Sequence, residues 1–72
     1  MNIGDVVRHF KGGRYVLLHI AKDCNETHHV AVYMSLKNGQ VWTRDWSEFQ
    51  ELVVWPDHQR RGRFIVDDPD AT

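Results

Sequence analysis

Apolar and polar positions alternate in short runs along most of the chain, a period-two pattern that marks half-buried strands. The run "DVVRHF" (residues 5–10) reads as a short strand, and the glycines of "KGG" behind it fit a tight turn. "RYVLLHIAK" (14–22) is rich in β-branched and aromatic side chains and predicts a long strand. After the polar turn "DCNET" (23–27), "HHVAVYMSL" (28–36) alternates cleanly. Val30, Val32, Met34 and Leu36 fall on one face, and His29, Ala31, Tyr33 and Ser35 fall on the other.

The second half continues in short elements. "KNGQ" (37–40) holds Asn38-Gly39, a strong two-residue hairpin signal because both central residues of a type I′ turn need positive φ. "VWTR" (41–44) is the return strand. In "DWSEF" (45–49), Asp45 can cap a helix and Glu48, three residues on, completes a capping box. That helix is held to a turn or two, because "LVVW" (52–55) resumes strand character before Pro56. "DHQRRG" (57–62) reads as a polar loop and "RFIV" (63–66) as a last short strand. The expectation is a mainly β fold: a small SH3-like antiparallel barrel of about five strands with one short helical turn. An OB-type barrel is a weaker alternative. One domain covers residues 1–66, and 67–72 form an acidic, fraying tail.

A two-residue loop at Asn38-Gly39 sets Tyr33 opposite Arg44, Ser35 opposite Trp42 and Met34 opposite Thr43. The face with Val30, Val32, Met34, Leu36, Val41 and Thr43 is then the core. The face with Ala31, Tyr33, Ser35, Trp42 and Arg44 is a contact surface on which the guanidinium lies near the tyrosine ring. Two alternatives stay open. The short helix or "LVVW" can fold over the aromatic face and make it a second small core, and a bulged three-residue loop shifts the register.

Size and composition bound the rest. A chain of 72 residues has room for one core and buries only roughly 60% of its unfolded surface. The formal charge is −1, so binding to nucleic acid requires a local basic patch. The one cysteine, Cys24, forms no internal disulfide. No apolar run approaches the roughly 20 residues of a membrane span. No apolar leader opens the chain, and a cytoplasmic setting with no membrane partner is the expectation.

Chemistry is sparse. Cys24, His28 and His29 lie close in sequence, but adjacent strand residues point to opposite faces, and no metal-ligand spacing occurs. "KGG" lacks the further glycines and the helix of a phosphate loop. A Cys24–His–Asp23 set would sit on a turn without oxyanion donors. No cofactor, metal or catalytic group is therefore expected, and the protein reads as a binder.

Several of these stretches together resemble a known family. "HFKGG-Y" (9–15), "VAVY" (30–33), "VWTR" (41–44), Phe49 and "RF" (63–64) are similar to small bacterial and phage proteins catalogued as domain of unknown function 1653. The resemblance spans about residues 6–65. The chain departs from the family pattern at "RDWSEF", where Arg-Pro-Leu is usual, and at His19, where a small residue is usual. The family carries no established activity. The resemblance implies a small compact β domain and, as a setting, a small regulatory protein acting on a host factor.

Two classes of partner follow. The first is a protein or peptide segment held by Tyr33, Trp42 and Arg44, with Phe10, Lys11 and Phe64 alongside. Phe10 and Phe64 also suit the ends of a core, and self-association into a homodimer would cover the same aromatic face. The runner-up is nucleic acid, bound through Arg60, Arg61 and Arg63 with exposed aromatics. Against it stands a solvated loop whose arginines pair with acidic side chains of the same chain.

Overall fold

The computed structural model describes residues 1–25 and 28–67. In chain order the elements are β1 (Val6–His9), β2 (Arg14–Lys22), β3 (His29–Ser35), β4 (Val41–Asp45), α1 (Trp46–Phe49), β5 (Leu52–Val54), β6 (Arg60–Gly62) and β7 (Phe64–Val66). The protein is mainly β. Five strands form one antiparallel sheet in the order β4-β3-β2-β1-β7, and β5 pairs with β6 as a separate two-stranded ladder.

The expected closed barrel is corrected. β4 and β7 are the two edges of the main sheet and share no ladder, so the sheet stays open. The arginine run read as loop supplies β6, which returns along β5 through a tight turn at 55–59. Trp55 N–H donates to the Gln59 carbonyl (2.8 Å), the Asp57 carboxylate accepts from Gln59 N–H (3.0 Å), and His58 takes φ 67°. A histidine at positive φ carries no sequence signal comparable to Asn-Gly, which is why this hairpin escapes a reading by pattern.

The core lies on one face of the sheet. Val7, Leu17, Ala31, Tyr33, Phe49 and Phe64 are buried together, with Tyr15, Ile20 and Trp46 packed around them. The face carrying Ala31 and Tyr33 is thus the interior, whereas Val30, Val32 and Met34 are only half-buried and Leu36 and Val41 are exposed. The face assignment is inverted relative to the aliphatic count. The small–large–small series Ala31, Tyr33, Ser35 leaves room for rings from elsewhere: Phe49 and Phe64 each lie 5.2 Å from the Tyr33 ring. β-Branched residues favour strands on either face, so their alternation does not say which face is covered.

The β3–β4 register also differs. Tyr33 pairs with Trp42, Met34 with Val41, Val32 with Thr43 and Ala31 with Arg44, a shift of two residues that keeps every side chain on its face. Residues 36–40 join the strands, with Ser35 N–H donating to the Gln40 carbonyl (2.8 Å), instead of a two-residue loop. Gly39 takes φ 72° but Asn38 does not take a positive φ, which rules out a type I′ turn. Side chains close the loop: Ser35 Oγ accepts from Lys37 N–H (3.2 Å) and Asn38 Oδ1 from Gln40 N–H (3.0 Å). A register shift between Leu17 and His19 marks a bulge in β2.

Asp45 caps α1 as its position in "DWSEF" predicts, accepting from the backbone N–H groups of Ser47 and Glu48. Asp67, assigned to the tail, is tied down: its N–H donates to the Val6 carbonyl (2.8 Å) and its carboxylate meets Arg14 (2.8 Å). The remainder of the expected tail, 68–72, and the last two residues of the "DCNET" turn lie outside the described residues. Among the described residues no helix is long and apolar enough to cross a membrane.

Candidate functional site

Every strand of the five-stranded sheet sends one or more side chains into a single cleft of about 240 Å³. His9 comes from β1, Tyr15 from β2, Tyr33 from β3, Trp42 and Arg44 from β4, and Phe64 from β7. Strand periodicity explains the convergence. His9 shares a face with buried Val7, Tyr15 with buried Leu17, and Trp42 and Arg44 stand opposite Tyr33 and Ala31.

The inner wall is an aromatic cluster in edge-on contact. Tyr15 lies 5.4 Å from Tyr33 and 5.6 Å from Phe64, and His9 lies 4.8 Å from Phe64. Such pairings set the positive edge of one ring against the negative face of the next and hold the wall rigid. Trp42 forms the outer lip and remains 52% exposed. The expected Arg44–Tyr33 pairing gives way to Trp42 opposite Tyr33, with Arg44 two residue pairs further along, opposite Ala31.

Arg44 carries the unusual chemistry. Its Nε is buried and has no hydrogen-bond partner, the sole side-chain polar atom in that condition among the described residues. Glu48 approaches only the Nη1 end, at 3.9 Å, a loose ion pair. An unmet buried donor costs about 1–3 kcal/mol, more on a charged group.

His9 adds a neutral polar group. Burial, and then the charges of Arg44, Arg63 and Lys11, hold its pKa below the ordinary histidine value. Nδ1 accepts from the Lys11 backbone N–H (3.1 Å), which leaves the proton of the neutral ring on Nε2.

Of the six residues singled out in sequence, Tyr33, Trp42, Arg44 and Phe64 line this cleft. Phe10 lines a neighbouring cleft of about 450 Å³ with Arg8, Trp55 and Arg61, and Lys11 Nζ lies over the Phe10 ring at 5.6 Å. Sequence reasoning missed His9 and Tyr15. Both stand in "HFKGG-Y", and the parity of Val7 with His9 and of Leu17 with Tyr15 was the signal available.

The arginine run is largely engaged within the fold. Arg61 forks onto the Asp57 carboxylate (3.0 and 2.8 Å) and lies 5.8 Å from the Trp55 ring. Arg63 donates to the Glu48 carbonyl (3.2 Å) and meets the Glu51 carboxylate (3.0 Å). Among the described residues no three His, Cys, Asp or Glu side chains group so as to hold a metal ion.

The model of the family described as "Protein of unknown function (DUF1653)" matches residues 5–66, and the chain belongs to that family. No match is found among curated proteins or among solved structures.

Proposed function

We propose that the protein is a small non-catalytic binding module that captures a protein or peptide segment in the cleft of Tyr33, Trp42, Arg44 and Phe64. One observation carries this reading: a half-exposed tryptophan stands beside an arginine whose Nε has lost water and found no partner. Tryptophan, tyrosine and arginine are the residue types that dominate binding hot spots, and a rigid aromatic wall loses little entropy on contact. The open sheet with short strands and tight turns serves in this reading as an SH3-like platform. The expected cytoplasmic setting belongs to the same proposal.

The nucleic-acid reading has less support, because Arg61 and Arg63 already meet carboxylates and would trade those pairs for phosphate. Selection of a displayed random-peptide library against the protein tests the choice, with Trp42→Ala as counter-target. Peptides that bind the native chain, weaken at least about tenfold on Trp42→Ala and tolerate added salt support the reading. Steeply salt-dependent binding of an oligonucleotide, with no peptide enriched, would turn it to the runner-up.

A further inference from the structure

We infer that the occupant is an acidic peptide laid as an added strand on the free edge of β4, with a side-chain carboxylate on Arg44 and an apolar side chain two residues away against Trp42. This rests on the peptide-binding reading above and specifies its ligand.

Three observations converge. First, β4 is an edge of the main sheet, so its outer backbone groups have no strand to pair with. An extended segment gains main-chain hydrogen bonds there and presents alternate side chains to one face. Trp42 and Arg44 lie two residues apart, on the face that opens into the cleft. An added strand therefore sets residues i and i+2 over them.

Second, the guanidinium charge is under-matched. Glu48 lies at Nη1, whereas Nε is buried and unpaired. About a third of the side chain is exposed (33%) while Nε is closed off, so an incoming carboxylate meets the Nη groups and supplies the counter-charge that a loose 3.9 Å pair with Glu48 leaves under-matched.

Third, positive charge outweighs negative at the cleft. No aspartate or glutamate lines the cleft, and the charges of Arg44, Arg63 and Lys11 all reach His9. Arg63 is matched by Glu51, but Lys11 has no ion pair among the described residues. One loosely matched guanidinium beside a neutral histidine suits a singly charged planar carboxylate. A phosphate group, with three oxygens and nearly two charges, calls for a cluster of arginines.

The experiment titrates the full chain with synthetic strand-forming peptides, acetylated and amidated, read by tryptophan fluorescence and by amide shifts along β4. One peptide carries leucine and glutamate at i and i+2 in a threonine–lysine background. Its partners replace glutamate by glutamine, set leucine and glutamate adjacent, or keep glutamine with a free C-terminal carboxylate. The glutamate peptide is expected to bind about tenfold or more tighter than the glutamine and adjacent forms. Arg44→Gln should erase that preference, and Trp42→Ala should weaken both peptides.

Equal binding of glutamate and glutamine peptides in the native protein overturns the carboxylate assignment and leaves the peptide-binding reading standing. Preference for the free C-terminus overturns the side-chain assignment. Binding by none of the peptides overturns the broader reading as well. A dimer in sedimentation that Val41→Arg splits would put a second copy on β4 and overturn the proposal. The comparison of peptides on the native chain stands even where Arg44→Gln fails to fold.

Discussion

Phe49 and Phe64 stack face to face, their centroids 4.1 Å apart and their planes 7° from parallel. The first sits in the single helical turn and the second in the last strand, so this contact joins the two ends of the chain's second half over the sheet. Arg63 reinforces it by donating from Nε to the Glu48 carbonyl. Phe49 is fully buried, and Tyr33 and Trp46 pack against its ring.

Phe49→Ala should accordingly cost about 3–5 kcal/mol, a large share of what a domain of this size possesses. Urea unfolding followed by circular dichroism measures it. A cost below about 1 kcal/mol would mean that the helical turn does not hold the core.

Tyr33 and Met34 test which face is interior. Tyr33 is 5% exposed and touches three aromatic rings, while Met34 is half-buried on the reverse face. Tyr33→Ala should therefore destabilise by about 3–5 kcal/mol and Met34→Ala by about 1 kcal/mol or less, in the same unfolding experiment. The opposite ordering would restore the aliphatic face as the core.

His9 makes stability depend on pH. Its folded pKa lies below the unfolded value near 6.5, so the unfolded chain takes up the proton first as pH falls. The stability due to neutral His9 is complete above pH 6.5 and drains away as pH drops from there through the folded pKa. His9→Gln should flatten that part of the stability curve. A proton NMR titration placing the His9 midpoint at or above 6.5 would contradict the assignment.

Gly13 is held at φ 82°, and a Cβ there would stand 3.5 Å from the Tyr15 ring. Gly13→Ala forces a side chain into the left-handed region, at a cost of about 1 kcal/mol or more, with the ring in ordinary contact. Gly12 has a similar φ of 96° but open space around it, so Gly12→Ala should cost about the same. Near-equal values would show backbone strain, not crowding, to be the reason for both glycines.

Alternation along "HHVAVYMSL" and "VWTR" by itself set Trp42 and Arg44 on one face, and Tyr33 joins them for any even slip from the Asn38-Gly39 register, because a strand's period of two survives such a slip. Asp45 as a cap and the strand character of "LVVW" and "RFIV" were equally local matters. Three things were decided only in the tertiary structure. The interior face was chosen by rings arriving from Phe49 and Phe64, whose reach no single strand encodes. The β3–β4 loop was closed by Ser35 and Asn38 side chains, which outweighed the Asn-Gly preference and moved the pairing by two. The cleft itself required β1, β2 and β7 to bring His9, Tyr15 and Phe64 beside β4's tryptophan and arginine. That meeting depends on the order of strands in the sheet, a long-range property that hydrophobic periodicity does not contain.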